Sequence, residues 1–195
     1  MFTICFKLLK KKIAPILLIL FHLQNPLFAQ NNNAVKSKND TTEKIGDVAL
    51  VVLPIATLAT TFLTDDKKGV WQFTKGLLLT EAITYGLKWS INKPRPDLSN
   101  NNSFPSGHTS TTFHSAAFIH KRYGFKYSLP AYLLAGFTAA SRIDSQKHDI
   151  LDVLAGAAIG IGSNLLFTSE YQKKHLELSY SNNQGNHMIG FNYKF

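Results

Sequence analysis

Apolar and polar positions along the chain fall into alternating blocks. Residues 30–45 are almost wholly polar and read as a flexible leader. An apolar block then runs over 46–64 and predicts a first helix, with "TDDKKG" as the turn after it. A second helix is expected over about 70–91. "KPRPDLSNNNSFP" follows, and its three prolines and Asn/Ser run cannot continue a helix. The pattern turns helical again from about 107, with Ser106 placed as N-cap. A fourth helix covers "YSLPAYLLAGFTAASR" and ends near 142. A fifth is expected over about 149–167. The fold class is therefore all-α, a bundle of about five core helices.

Two further features refine that picture. Small residues recur in the fifth helix at Ala155, Gly156, Ala157, Ala158, Gly160 and Gly162. They permit close helix–helix contact, in water or in lipid. The uncharged runs 48–64 and 153–169 are 17 residues each, and 127–141 is 15. A full bilayer span takes about 20. These lengths favour burial in a compact, soluble or membrane-surface bundle, with an integral membrane bundle as the alternative. Beyond residue 168 the period changes to two, with Leu176, Leu178 and Tyr180, then Ile189, Phe191, Tyr193 and Phe195, around "NNQGN". This predicts a C-terminal β-hairpin packed on the bundle.

The N-terminus has a different character. "MFTICFKLLKKKIAPILLILFHLQNPLFAQ" carries four lysines, then an apolar stretch, then a small-residue site before Gln30. That is the layout of a secretory signal cut after Ala29, with an uncleaved anchor as the alternative. Its removal lowers the formal charge from +9 to about +5 and takes away Cys5, the only cysteine. The expected organisation is a signal over 1–29, a leader over 30–45, one domain over 46–168 and a tail over 169–195. Charged residues are 17% of the chain and apolar ones 45%, enough for one real core; mean hydropathy is −0.05. The basic residues are spread out without interleaved aromatics, which excludes a nucleic-acid binder. A mild positive balance suits phosphate or an anionic membrane surface.

Three polar clusters carry candidate chemistry. Lys88 and Arg95 flank "WSINKP", and Arg95 is stiffened by Pro94 and Pro96. "FPSGHTS" sets Ser106, Gly107 and His108 at a helix start, where free N–H groups and the helix dipole favour an anion. "SRIDSQKHDILD" holds Ser141, Arg142, His148 and Asp152. His148 and Asp152 are i and i+4, one turn apart on a helix face, so the carboxylate can accept from the imidazole and fix its tautomer. Arg142 offers a planar fork of donors to phosphoryl oxygens. Asp149 reads as a helix-start charge. His114 and His120 lie outside these clusters and read as packing or surface residues. Trp71 and Trp89 read as core or lipid-facing residues.

Taken together, the clusters form K-x6-R-P, then P-S-G-H, then S-R-x5-H-x3-D, met at Lys88, Arg95, Pro96, Pro105, Ser106, Gly107, His108, Ser141, Arg142, His148 and Asp152. This closely resembles the type 2 phosphatidic acid phosphatase (PAP2) superfamily, which also contains bacterial acid phosphatases and vanadium haloperoxidases. The resemblance covers about residues 46–168. It implies a metal-independent hydrolase of phosphomonoesters or lipid phosphates in the cell envelope, in the periplasm or at a membrane. It further implies His148 as nucleophile, Asp152 as its holder and His108 as acid and then base. Lys88, Arg95, Arg142, Ser106 and Gly107 would hold the phosphate. No metal or other cofactor is implied, although vanadate fits the same pocket as a phosphate analogue. The alternatives are a vanadium-dependent haloperoxidase and a non-catalytic envelope interaction protein.

Overall fold

The computed structural model describes residues 40–171, 176–183 and 186–193. The expected secretory signal over 1–29 and most of the expected leader lie outside the described residues. Within them the chain forms five helices: α1 Asp40–Leu63, α2 Lys67–Ile91, α3 Gly107–Tyr123, α4 Phe125–Asp144 and α5 Ile150–Phe167. Two strands follow, β1 Leu176–Asn183 and β2 Asn186–Tyr193, paired antiparallel with Leu176 opposite Tyr193.

Local chemistry sets the helix ends. Asp66 precedes α2 and accepts from the Gly69 N–H at 2.8 Å. Asn92 closes α2 in the left-handed region at φ 49°, its N–H donating to the Lys88 carbonyl. Asp149 and Asp152 cap α5 reciprocally, each side chain accepting from the other's backbone N–H. Asp149 is thus the helix-start charge that its sequence position implied. Ser106 stands at the N-cap position of α3, but its side chain makes no capping bond. Its Oγ instead accepts from the Thr109 hydroxyl at 3.0 Å.

The leader is shorter than expected, because α1 already begins at Asp40. The polar run "DTTEK" supplies a helix start, and Arg142 donates to the Glu43 carbonyl, which ties this turn down. The helices α2 and α4 also begin a few residues earlier than the apolar pattern indicated.

The central helix is α3, which packs against each of the other four. It meets α5 closely because of two glycines. A Cβ at Gly160 would lie 2.2 Å from the Ser110 carbonyl oxygen, and one at Gly156 would lie 2.5 Å from that of Ser106. The small-residue stripe of α5 therefore brings the starts of α3 and α5 together, and the Ser106 N–H donates to the Asp152 carbonyl at 2.9 Å.

Run length favoured burial of the apolar runs, and their burial is partial. Only 33% of the most apolar window is buried in α1 and in α5, and both helices are long and apolar enough to cross a membrane. Many fully buried positions are hydroxylated, among them Thr80, Thr84, Thr109, Thr111, Thr112 and Ser115. Large apolar side chains such as Leu133, Leu154, Leu166 and Trp89 face outward. The apolar runs coat the bundle more than they fill it, because small and hydroxylated residues let these helices approach closely. Trp71 and Trp89 are exposed, so neither belongs to the core.

Candidate active site

Lys88 lies in the last turn of α2, and its ammonium donates to the carbonyls of Asn102 at 2.8 Å and Pro105 at 2.6 Å. The lysine thus pins the loop to the start of α3. Burial, reinforced by Arg95, pushes its pKa down to about 8. Arg95 sits in the loop after α2, where its N–H donates to the Asn100 carbonyl at 2.9 Å. Its side-chain Nε is buried and makes no hydrogen bond within the protein. A buried guanidinium donor of this kind calls for an acceptor, and a phosphoryl oxygen is one.

Gly107 and His108 form the first turn of α3. Lys88 comes alongside Gly107: a Cβ added there would lie 3.9 Å from Lys88 Cε, in ordinary contact. His108 is partly buried, and its Nε2 lies 2.9 Å from Asp47 Oδ1 on α1. Arg142 is almost fully buried near the end of α4. Its Nη1 donates to Asp47 at 2.9 Å, its Nη2 to the Glu43 carbonyl at 2.6 Å, and its Nε to Ser141 Oγ at 3.3 Å.

His148 departs from the helical-face expectation. It lies ahead of α5, outside the helix, and its backbone N–H donates to the Arg142 carbonyl at 3.1 Å. Asp149 takes the cap position and forces that placement. His148 Nδ1 stands 3.7 Å from Asp152 Oδ2, beyond hydrogen-bond reach. The carboxylate acts on the ring as a nearby charge and leaves Nε2 on the far side. Burial is the main cause that lowers the His148 pKa, to about 4; Asp152 opposes the shift, and Lys88 and Arg95 add to it. His148 is therefore a neutral base at pH 7.

Asp152 is fully buried and well anchored. Lys93 Nζ donates to its Oδ1 at 2.8 Å, and Ser103 Oγ donates to its Oδ2 at 2.5 Å. The structure brings all eight residues expected from the motifs to one end of the bundle. Sequence reasoning missed Lys93, Ser103 and Asp47. Lys93 sits inside the first motif, between Lys88 and Arg95, and that position was the available signal. Asp47 carried none, since 61 residues separate it from His108.

Residues 69–176 match the family described as the PAP2 superfamily. The chain belongs to the PAP2 superfamily. It is 33% identical to the lipid A 4'-phosphatase of Helicobacter pylori over 169 residues, which cover 78% of this chain and 85% of that one. It is 43% identical to the lipid A 1-phosphatase of Porphyromonas gingivalis over 89 residues, 44% of this chain and 20% of that longer protein. The crystal structure of Aquifex aeolicus LpxE is similar with a TM-score of 0.58 at 23% identity, covering 70% of this chain and 88% of that one. That likeness establishes the fold. This PAP2 phosphatase is a phosphoric ester hydrolase, and its site has the parts such a reaction requires: cationic donors, a neutral imidazole and a second histidine beside a carboxylate. Among the described residues, no group of three or more His, Cys, Asp or Glu side chains is arranged to hold a metal ion. His114 and His120 stay apart from the site. His114 is buried against Thr80 and the Phe73 carbonyl, and His120 is exposed against Tyr132.

Proposed function

We propose that this PAP2 phosphatase removes a phosphate from a lipid A-type glycolipid in the envelope membrane, through a phosphohistidine at His148. The observation that carries the phosphate site is the buried, unpaired Nε of Arg95, set among Lys88, Arg142 and the first turn of α3. The lipid A assignment is supported by the two named relatives. The outward-facing apolar side chains of α4 and α5 support a substrate presented from a bilayer. The secretory signal read in residues 1–29 supports export to the periplasmic face.

In this mechanism the equatorial phosphoryl oxygens are held by Lys88, Arg95 and Arg142, with the Gly107 N–H and Ser106 at the helix start. His148 Nε2 attacks phosphorus in line as the bond to the leaving oxygen breaks, and His108 gives that oxygen a proton. Asp152 steadies the positive charge that develops on His148. Water, deprotonated by His108, then cleaves the phosphorus–nitrogen bond and releases phosphate. The vanadium haloperoxidase alternative draws no support from the relatives above, which are named as phosphatases.

The test is phosphate release by the protein in mixed micelles with a chelator present. Lipid A would be compared with phosphatidic acid, phosphatidylglycerophosphate, undecaprenyl pyrophosphate and soluble phosphomonoesters. Preferred release from lipid A that vanishes in His148→Ala is the expected result. Preference for another phosphate would overturn the substrate, and release that survives His148→Ala would overturn the nucleophile.

A further inference from the structure

Asp47 precedes the segment 69–176 that matches the superfamily, yet its carboxylate stands inside the site. Its Oδ1 is 2.9 Å from both His108 Nε2 and Arg142 Nη1. The approach is built into α1. A Cβ at the preceding residue, Gly46, would lie 2.2 Å from Ser141 Oγ and 2.8 Å from Arg142 Nη2, so any larger residue at 46 would displace Ser141 or Arg142. One turn earlier, the Glu43 carbonyl accepts from the same guanidinium, and the Glu43 side chain lies 3.9 Å from Lys147.

We propose that Asp47 is a positioning residue of the phosphatase reaction, whose carboxylate orients His108 through Nε2 and keeps the ring protonated as the acid for the leaving oxygen. An ionised carboxylate only accepts hydrogen bonds, so Nε2 carries a proton directed at Asp47. That leaves Nδ1 as the nitrogen whose proton passes to the leaving alkoxide. The ring then stands neutral, with Nε2–H still on Asp47, and Nδ1 can take a proton from the attacking water.

The need for an acid partner follows from the surroundings of His108. Arg142 on α4 and Arg95 in the loop act on the ring with positive charge, and burial also disfavours the imidazolium. Lys88 on α2 reaches the adjacent Gly107, and His148 ahead of α5 is neutral. Asp152 on α5 is already bound by Lys93 and Ser103. From α1, Glu43 contributes its carbonyl to Arg142, and its side chain faces Lys147. Asp47 is the anion in contact with the ring.

This inference rests on His108 acting as the acid, and the experiment separates the two. Asp47→Asn keeps the shape and an acceptor for Arg142 but removes the charge. The pH dependence of kcat/KM with lipid A in mixed micelles would be compared for the wild type, Asp47→Asn and His108→Gln. In parallel, the His108 ring would be titrated by NMR in histidine-labelled full chain, which needs no turnover. The expected result is an alkaline break about one pH unit lower in Asp47→Asn, as for loss of an opposite charge in contact. The loss then approaches tenfold at pH values above the break and shrinks as the pH falls below it, and the NMR titration moves in step. Ionisation of the substrate is common to all the proteins and cancels. An unmoved His108 titration in Asp47→Asn overturns the role of Asp47 while leaving His108 as the acid. Full activity in His108→Gln overturns the acid assignment itself, and the role of Asp47 with it.

Discussion

Lys93 Nζ lies 2.8 Å from Asp152 Oδ1, and the same ammonium binds the carboxylate of Asp149. One lysine therefore joins the cap of α5 to the acid that faces His148. Replacing it with Met leaves Asp152 buried with Ser103 as its remaining side-chain donor. A hydrogen bond to a charged group contributes about 1.5–3 kcal/mol, so kcat/KM of Lys93→Met should fall roughly 10- to 100-fold. Lys93→Arg should recover part of the loss. Steady-state phosphate release checks both, and an unaltered Lys93→Met would show that Asp152 does not need its cation.

Arg95 offers a second test, because charge and geometry can be separated there. Arg95→Lys keeps the positive charge but loses the planar fork that carries the buried Nε. KM should rise by about tenfold in Arg95→Lys and the loss should exceed 100-fold in kcat/KM for Arg95→Ala. Equal activity in the wild type and Arg95→Lys would mean that the fork does not meet the phosphate.

The pH profile follows from three groups. His148 must be neutral to attack, and its pKa is held down to about 4, so activity should rise through pH 4 and persist above it. His108 must be protonated to act as acid, and its pKa is lowered from the ordinary 6.5, chiefly by burial. The optimum of kcat/KM therefore lies in mild acid. Above pH 8 a second fall is expected as Lys88 loses its charge, its pKa being lowered to about 8. Lys88→Arg should remove that upper fall and leave the other two breaks in place.

The opposite end of α2 supplies a contrast. Arg122 at the end of α3 donates from Nε and Nη2 to the two carboxylate oxygens of Asp66, and both residues are buried. Asp66 is about 33 Å of helical rise from Lys88. Arg122→Ala strands a buried carboxylate, a change that costs about 3–5 kcal/mol. The melting temperature should drop sharply, while kcat of the protein that remains folded stays near the wild-type value. A fall in kcat without loss of stability would contradict a purely structural role.

The parts of this site visible in the sequence are the local ones. Ser106, Gly107 and His108 are consecutive, and a proline followed by a cap residue announces a helix start. Arg142, His148 and Asp152 sit within one short stretch, so their convergence needs only a turn between α4 and α5. Asp47 is invisible for the opposite reason: its partners lie two and three helices further along the chain, and an isolated aspartate in an apolar helix carries no spacing. The outward apolar surface was not legible either, because run length alone does not say which way a side chain faces. The Thr and Ser content of α2 and α3 held that information, since hydroxylated residues that bond to their own helix backbone, as Thr80 does to the Gly76 carbonyl at 2.9 Å, can fill a close interface.

The site is assembled from three separate stretches of chain: Glu43 to Asp47, Lys88 to His108, and Ser141 to Asp152. A bound anion held by the last two of them closes loops that the unfolded chain must keep open. It is thereby a folding ligand, and its affinity feeds directly into the integrity of the whole bundle. At a concentration of one hundred times Kd such a ligand adds about 2.7 kcal/mol. Inhibitor binding can thus be followed as a rise in melting temperature, without any substrate present.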